Sequence, residues 1–531
     1  MSRVDILRQP DFVRVYTDTE SVVLDKGPSG SWRKNGVEVT IQPGKDHLPV
    51  TLSAPRTALK RIQIRWRGAF GSGTRFLGDH WERGYGDLAW RGMAPQRPMP
   101  WYFLAFDGKA THGYGVKTGA RALCFWQVDS AGVSLWLDVR CGGRGVELGN
   151  RVLEAAMVVT RTGEDGESPF EAARAFCGLL CDQPLMPAQP VYGSNNWYYS
   201  YGKSSHQQVI RDAQLTAELS PASVNRPFVV VDCAWQIGWD DCPGGPYIGN
   251  RLFPDMPGLA RALKDVGVRP GIWMRPLRID ERVPESWIFP LDRFVKNSTE
   301  HVLDPSVPDV LAQVAHDIRT LTGWGYELIK HDWTTWDLTG RWGFQMGAEF
   351  TPDTWCFADR SQTTAEVVLD LYRTIRQAAG DALIIGCNTI GHLGAGLFQL
   401  QRVGDDTSGM EWERTRKMGV NSLAFRGPQH GTFFAADADC VGLTTRIPWE
   451  LNRQWLDLLA RSGTPLFVSP DPKAIGPDQR SALKQAFALA AQELPLGEPL
   501  DWLDTTCPSK WRLMGEVVSY DWFGDEGAWP F

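Results

Sequence analysis

Residues 1–187 consist mainly of short stretches in which apolar and polar residues alternate, separated by turns rich in Gly, Pro and Asp. Such alternation predicts β-strands that bury one face. A helical pattern occurs only near the end of this region, in PFEAARAFCGLLC at 169–181. We therefore expect an N-terminal β-sandwich, followed by a proline-rich junction, QPLMPAQPV, at 183–191.

Residues 188–496 show a different pattern, in which continuous apolar runs alternate with longer amphipathic stretches. This alternation is typical of a parallel sheet covered by helices. Eight apolar runs over this length predict a (β/α)8 barrel, and the seventh run, TFFAAD, fits the pattern least well. The runs lie at 190–197, 228–232, 269–274, 326–332, 382–388, 398–405, 432–437 and 465–470.

Residues 497–531 contain two strand-like pieces, KWRLM and EVVSYDWF. The segment is too short to form a core of its own. We expect a short C-terminal β-sheet that packs on the barrel. The predicted fold class is therefore α/β, with a TIM barrel between a β-sandwich and a small sheet.

The composition is that of an ordinary globular protein, with 43% hydrophobic and 22% charged residues among 531. The net charge is −7 and no basic block occurs, so neither nucleic acid nor a membrane surface is an expected partner. Most of the 24 Trp are expected in the core, although indole rings also stack on the flat faces of sugars.

The N-terminal residues lack the apolar segment of a signal peptide, and no apolar run reaches the ~20 residues of a membrane span. The ten Cys form neither a CxxC motif nor a disulfide framework, so we expect reduced thiols and a cytoplasmic location. Neither HxH nor HExxH occurs, and no metal site is predicted.

Polar residues end six of the eight predicted barrel strands, and in a barrel these carboxyl ends carry the active site. A single Asp in such a place is more often a helix cap or a turn residue. The convergence of six strand ends is what predicts a site. The residues are Asn195, Asn196 and Trp197; Asp232 and Cys233; Trp273 and Arg275; Lys330, Asp332 and Trp333; Cys387 and Asn388; and Arg402, Gly404, Asp405 and Asp406.

The stretch LIKHDW places Lys330 and Asp332 on one face of a strand and His331 on the other. A buried lysine beside Asp332 would favour the ionised carboxylate. Such a carboxylate can attack an anomeric carbon. A structural ion pair at the barrel rim is the alternative, and the stretch by itself does not decide between them.

A glycosidase also needs a second carboxyl group that is protonated at the start of the reaction, with a raised pKa, about 5 Å from the nucleophile in a retaining enzyme. In RVGDDTSG, alternation places Arg402, Gly404 and Asp406 on one face and Asp405 on the other. Gly404 would leave room for a ligand to approach the backbone. The pattern favours Asp406 as the acid, with Asp405 as a support residue.

Eight segments together resemble clan D glycosidases, most closely the family-36 α-galactosidases. They occur in the family's order and are NNWYYSYG, FVVVDCAWQ, RPGIWMRPL, HVLDPSVPDV, LIKHDW, IIGCN, RVGDDT and AADADC. A β-sandwich before the barrel and a small sheet after it also fit this family.

The resemblance implies that Asp332 is the nucleophile and Asp406 the acid/base. It implies no metal and no cofactor, an oligosaccharide or glycoside as substrate, and products that retain the α configuration. Homo-oligomers are compatible with it. The implied lining of the sugar subsite is Trp197, Asp232, Trp273, Lys330, Cys387 and Arg402.

Two residues depart from the family at this subsite. Cys233 replaces the second of two aspartates that bind sugar hydroxyls, and a thiol is a weak hydrogen-bond partner. Arg275 stands where Ala is usual, and it would either bind an anionic sugar or pair with an acid such as Asp280 or Glu281.

The sandwich segment GDHWERGYGDLAW contains Asp79, Trp81, Asp87 and Trp90. In relatives this domain can edge the pocket, sometimes that of a neighbouring subunit. We therefore count Asp87 and Trp90 among the candidate substrate-binding residues. The alternative is a sandwich loop in which these aromatic residues are structural.

The sequence thus predicts a retaining exo-acting α-glycosidase similar to α-galactosidases. A transglycosylase resembling raffinose synthases is an alternative on the same scaffold. A different terminal sugar, anionic or N-acetylated, is a second alternative because of Cys233 and Arg275. A non-catalytic sugar-binding protein is a third, although both predicted carboxylates are present.

Overall fold

The computed structural model describes residues 4–238, 242–290, 301–525 and 527–528. Its N-terminal part is a sandwich of two antiparallel sheets. In spatial order the first sheet contains Ser21–Val23, Phe12–Tyr16, Arg61–Arg67, Gly132–Asp138, Leu123–Asp129 and Met99–Pro100. The second contains Asp25–Lys26, Ser31–Lys34, Val37–Ile41, His47–Ser53, Leu153–Arg161, Thr111–Val116, Tyr102–Phe106 and Arg75–Gly78.

The strand RIQIRWR shows why these segments pair as sheets. Ile62, Ile64 and Trp66 are buried on one face, as the alternation predicts. The helix Pro169–Leu180 then covers the second sheet. It begins at a capping box formed by Ser168 and Glu171.

The barrel strands are parallel and follow the predicted order. They are Tyr192–Asn195, Phe228–Val231, Arg269–Met274, Leu328–His331, Leu383–Gly386, Leu400–Arg402, a seventh strand in two pieces, and Leu466–Pro470. The helices are Trp197–Ser200, His206–Leu219, Met256–Val266, Pro308–Gly323, Thr334–Thr339, Thr364–Ala379, Gly391–Gly394, Trp412–Thr415, Ser422–Arg426, Trp449–Arg461 and Pro477–Ala490.

The seventh strand closes the barrel in two pieces. Ala435–Asp437 pairs with the sixth strand, and Cys440–Leu443 pairs with the eighth. Between the pieces Asp439 adopts a left-handed backbone, φ 73°, which interrupts the strand. The predicted run at 432–437 therefore covers only the first piece of this strand. The predicted fold class is confirmed.

The C-terminal segment forms the expected small sheet, Glu498–Pro499, Lys510–Leu513 and Glu516–Ser519. Trp502 packs between Phe170 of the sandwich helix and Phe425 of the barrel, with ring centres 5.4 and 5.5 Å away. The segment thus joins the two larger parts. The domain limits at residues 187 and 496 stay predictions. No helix in the described ranges is long and apolar enough to cross a bilayer.

Residues 79–91, here called the sandwich loop, lie on the barrel. The buried guanidinium of Arg426 donates to Asp79 Oδ1 at 2.7 Å and to the carbonyl of Glu82 at 2.8 Å. The backbone of Gly84 pairs with the edge of the sixth strand: its N–H donates to Val403 O, and its carbonyl accepts from Asp405 N, both at 2.8 Å. The loop is therefore attached to the strand that carries Asp406.

Glu82 is fully buried at this contact. Its carboxyl group accepts from Tyr85 Oη at 2.5 Å, from Gly343 N at 2.8 Å and from Asn388 Nδ2. Burial raises the pKa of Glu82 to about 7, against the opposing charge of Arg83. Burial thus makes the neutral form of Glu82 more favourable in the folded protein than in the unfolded chain, although its hydrogen bonds favour the carboxylate.

We expect Arg426→Ala to lower the free energy of unfolding by about 3–5 kcal/mol, because Asp79 would stay buried without its cation. Arg33→Ala is the control, since Arg33 is exposed in its pair with Glu38 and should contribute less than about 1 kcal/mol. Chemical unfolding measures both. Equal losses would contradict a structural role for the Arg426 contact.

Glu82 should also make stability depend on pH. Its folded pKa lies above the ordinary value of 4.5, so its stabilising contribution is complete below about pH 4.5 and is lost as pH rises through 7. Thermal unfolding between pH 5 and 8 should show wild type losing stability relative to Glu82→Gln. A constant difference between the two proteins over that range would refute the assignment.

Candidate active site

The carboxylate of Asp332 follows the fourth barrel strand and is held by two donors. The indole Nε1 of Trp273 donates to Oδ2 at 2.9 Å, and the backbone N–H of Trp333 donates to Oδ1 at 2.8 Å. Trp273 is buried, whereas Asp332 is partly exposed. The carboxylate is thus fixed in orientation while its side chain keeps access to solvent.

Lys330 forms its closest ion pair with Asp232, not with Asp332. Its Nζ lies 2.6 Å from Asp232 Oδ2, and the same oxygen accepts from Asn195 Nδ2 at 2.6 Å. Burial lowers the pKa of Lys330, but the acidic groups around it, with Asp232 the largest contributor, together outweigh burial and hold this pKa well above its usual value. The lysine is therefore a cation between the two aspartates, with Asp232 as its direct partner.

The alternation predicted for LIKHDW is confirmed by His331. Its ring lies on the opposite side of the strand from Lys330, against Tyr372 and Phe398 at 5.7 and 5.6 Å. Burial lowers the pKa of His331 to about 3, so the ring is neutral. This histidine belongs to the shell between the strands and the helices.

The two adjacent aspartates in RVGDDTSG have different partners, as alternation predicts. Asp406 Oδ1 lies 3.1 Å from Arg402 Nη2 and 3.5 Å from Arg83 Nη1, and its side chain is 38% exposed. Asp405 instead pairs with Arg83 Nη2 at 2.7 Å and with Arg414 at 2.9 Å. Asp405 is thus the less exposed of the two, its support role stays a prediction, and Asp406 is the carboxylate that reaches solvent.

Asp406 is ionised in the ligand-free site. Burial raises its pKa, but the nearby charges of Arg402, Arg83 and Lys330 together hold this pKa well below its usual range. The raised pKa predicted for the acid is therefore wrong for the ligand-free protein. The pKa is lowered by the charges of Arg402 and Arg83, and Arg83 belongs to the sandwich loop.

Arg83 is a site residue that sequence reasoning missed. The sandwich loop was recognised as a candidate pocket edge, but no pattern in it distinguished Arg83 from its neighbours. The buried guanidinium reaches Asp405, Asp406 and the thiol of Cys387, at 3.9 Å from Sγ. It lies there because Gly84 pairs with the sixth strand.

Asp439 is a second missed residue, and it is the closer partner of Arg402. The distance from Arg402 Nη2 to Asp439 Oδ2 is 2.8 Å. The same carboxylate accepts from the hydroxyl of Tyr198 and from the backbone and hydroxyl of Thr407. Its place in the motif AADADC could have indicated a site residue. The break in the strand that brings its carboxylate to Arg402 was not predictable from the sequence.

A small polar cavity lies between the strand ends, beside Lys330 and Arg402. Its wall includes Asn195, Asp437, Asp439 and Cys440. Burial raises the pKa of Asp437 to about 6, against the charge of Arg402. The cavity has a volume of about 20 Å³ and its wall also includes apolar side chains such as Phe467, so it has room for about one water molecule.

The two residues of the sandwich loop that were predicted to bind substrate, Trp90 and Asp87, both have protein partners. Trp90 is a core residue, packed against Phe106 and Trp502 with ring centres 6.4 and 5.5 Å away. Asp87 pairs with His80 at 2.8 Å, and its pKa falls to about 2 because this partner outweighs burial. The prediction of Trp90 as a substrate-binding residue is wrong, that of Asp87 stays a prediction, and Arg83 is the loop residue that reaches the site.

Gly404 does not make room for a ligand. A Cβ atom at this position would lie 2.4 Å from Met418 O and 2.5 Å from Ser422 Oγ. The missing side chain therefore allows the segment after the sixth strand to pack closely, and the predicted contact with substrate is wrong.

Arg275 is fully buried and forms an ion pair with Asp337, at 2.6 Å from Nη2 to Oδ1. Its partner is neither Asp280 nor Glu281, and the predicted contact with an anionic sugar is wrong. The thiol of Cys233 lies 2.9 Å from the thiol of Cys242. A role of Cys233 in sugar binding stays a prediction.

The remaining candidate residues lie just after the carboxyl ends of barrel strands. Cys387 Sγ accepts from Arg402 Nη1 at 3.5 Å. Trp197 follows the first strand, its ring 5.6 Å from that of Tyr201. Trp333 follows Asp332 and lies under the guanidinium of Arg275. Their contact with a sugar stays a prediction.

No protein-family model matches the chain. Several solved structures do resemble it. An α-galactosidase from Thermus thermophilus in complex with p-nitrophenyl α-D-galactopyranoside is 16% identical, with a TM-score of 0.62 over 96% of this chain and 99% of that one. The GH36 α-galactosidase AgaA from Geobacillus stearothermophilus is 15% identical, with a TM-score of 0.62 over 95% and 79%.

An α-galactosidase from Lactobacillus brevis is 13% identical, with a TM-score of 0.61 over 92% of this chain and 69% of that chain. Identities this low establish a common fold and leave the activity to be argued from the site. The chain thus has the fold of the family-36 α-galactosidases, as its motifs predict.

Proposed function

We propose that the protein is a retaining, exo-acting α-glycosidase that hydrolyses a terminal α-linked sugar. The observation that supports this most directly is the pair of carboxylates at the strand ends. Asp332 is oriented by the indole of Trp273 and the backbone N–H of Trp333, and Asp406 is partly exposed two strands further on. Lys330 contributes to the electrostatic environment of both.

In the first step, a carboxylate oxygen of Asp332 attacks C1 of the sugar. The bond from C1 to the leaving oxygen breaks while Asp406 donates its proton to that oxygen. The product is a glycosyl ester on Asp332. The two donors on Asp332 keep the attacking oxygen in place, which lowers the entropic cost of the step.

In the second step, Asp406 is a carboxylate and takes a proton from water. The water oxygen attacks C1, the ester bond breaks, and Asp332 is released. Two inversions at C1 return the α configuration. The same carboxyl group therefore serves first as acid and then as base.

The first step requires a proton on Asp406, which is ionised in the ligand-free protein. Arg402 has a second carboxylate, Asp439, at 2.8 Å, so Asp406 can move away without leaving the guanidinium unpaired. We therefore include in the mechanism a movement of Asp406 away from Arg402 when substrate enters. A substrate that displaces water from this contact also favours the neutral acid.

The terminal sugar in this proposal is neutral, galactose or a close relative. Arg275 is engaged with Asp337 and leaves no cation for an acidic group at that position. The Thermus enzyme of the same fold was solved with a nitrophenyl galactoside. A galactoside is therefore the first substrate to test.

Wild type should hydrolyse a nitrophenyl α-glycoside of galactose, N-acetylgalactosamine or glucose in preference to one of an anionic sugar. Asp332→Ala should lose at least about 10³-fold in kcat, as expected for a missing nucleophile. Asp370→Ala is the control, because Asp370 is a surface carboxylate paired with Arg373. Activity near wild type in Asp332→Ala would exclude this mechanism.

The adjacent aspartates provide a second test. Asp406→Asn should lose far more kcat/KM than Asp405→Asn on an alkyl glycoside, whose leaving oxygen needs a proton. On a dinitrophenyl glycoside the loss in Asp406→Asn should shrink by about 10²-fold or more, because that leaving group departs without a proton. Equal sensitivity of both variants to the leaving group would assign the acid elsewhere.

A further inference from the structure

Trp333, the residue after the candidate nucleophile, has a left-handed backbone with φ 66° and ψ −4°. This conformation costs an L-residue roughly 1–2 kcal/mol. A bulky residue keeps it only where the surroundings hold it in place. The structure shows what holds it.

Trp333 is held by the side chain of Arg275 and by the first turn of the helix Thr334–Thr339. The guanidinium carbon of Arg275 lies 4.3 Å from the centre of a Trp333 ring, and the backbone N–H of Asp337 donates to Trp333 O at 2.9 Å. Arg275 also donates through Nε to Asp337 Oδ2 at 3.0 Å. A cation stacked on a ring away from water contributes to fixing that ring.

Further aromatic rings extend from Trp333. Trp342 lies 4.9 Å from Trp333, and Trp336 stacks on Trp342 at 4.9 Å. Phe344 is 61% exposed and contacts Tyr85 of the sandwich loop at 5.2 Å. We call these five residues the aromatic wall.

The two ends of the wall lie near the two candidate carboxylates. At one end, Trp333 follows Asp332 and donates its backbone N–H to that carboxylate. At the other end, Tyr85 is two residues from Arg83, which lies 3.5 Å from Asp406. Asp406 is the group that protonates the leaving oxygen in the proposed mechanism, so the leaving group would lie along this wall.

The hydroxyl, carboxamide-oxygen and guanidinium groups along the wall are engaged with the protein, and the indole N–H groups of Trp333 and Trp342, which are donors only, have no partner among the described residues. The Tyr85 hydroxyl donates to Glu82, Gln345 Oε1 accepts from Trp342 N, and Arg341 donates to Glu349 O. A sugar in this place would need free donors and acceptors for its hydroxyl groups. A flat aromatic ring needs only the exposed ring faces.

We propose that the aromatic wall is the leaving-group subsite, that it takes an aromatic aglycone, and that Arg275 is its positioning residue. This inference rests on the proposed glycosidase function. In this proposal Arg275 holds the ring of Trp333 in place, and Trp333 and Trp342 select the leaving group.

The test compares kcat/KM on a phenyl α-glycoside, a disaccharide and a glycosyl fluoride of the sugar that wild type hydrolyses best. The fluoride has no ring to stack, so the ratio of phenyl glycoside to fluoride isolates the subsite. Trp342→Ala and Trp333→Asn should each lower this ratio about 10-fold. Asn is chosen at 333 because it tolerates the left-handed backbone.

Arg275→Lys keeps a cation beside Asp337 but lacks the planar face that stacks on Trp333. It should lower the same ratio about threefold, whereas a merely structural role would lower both activities together. Phe12→Ala is the matched control. Phe12 is a partly buried sandwich residue with Arg14 at 5.1 Å from its ring, and its loss should change neither activity.

An unchanged ratio in both tryptophan variants would overturn the proposal. A loss confined to the disaccharide would also overturn it, because the wall would then bind a sugar. If wild type hydrolyses none of the glycosides, the proposed glycosidase function fails. The subsite is then tested by calorimetry, which compares the binding of phenyl and methyl α-galactoside. Tighter phenyl binding that Trp342→Ala abolishes would support it, and equal affinities would overturn it.

Discussion

The backbone pairing of Gly84 with the sixth barrel strand is the contact on which the site depends. It brings a loop of the sandwich to the strand that carries Asp405 and Asp406, and it places Arg83 between these two carboxylates. The pair of Asp79 and Arg426 and the buried Glu82 hold the same loop from behind. The sandwich is thus part of the site, because its docking sets the charge around Asp406.

The charges of the site are arranged so that one carboxylate is more mobile than the others. Asp232 and Asp439 are 5% and 3% exposed and pair with Lys330 and Arg402. Asp406 is 38% exposed and shares Arg402 with Asp439. Moving a buried carboxylate away from its cation costs more free energy than moving a partly exposed one, which water can solvate. In the proposed mechanism, this difference makes Asp406 the group that changes partner.

Local periodicity predicted much of this geometry from the sequence. Alternation along LIKHDW separated His331 from Lys330, and alternation along RVGDDT separated Asp405 from Asp406. It worked because side chains on a strand point to opposite faces whatever surrounds the strand. The same reasoning could not predict which residues form ion pairs with each other. Lys330 pairs with Asp232, and Arg275 pairs with Asp337, because those contacts join residues far apart in the chain.

The sequence by itself determined the eight-stranded barrel with its flanking sheets, the strand ends that carry polar residues, and the face of each strand. These follow from hydrophobic periodicity and from turn residues, which act over a few positions. Only the tertiary structure decided that Arg83 enters the site, that Gly404 accommodates protein, that Trp90 is core, and that Arg275 supports Trp333. Each of these depends on packing between segments that are far apart in the chain, and such packing produces no periodic pattern in the sequence.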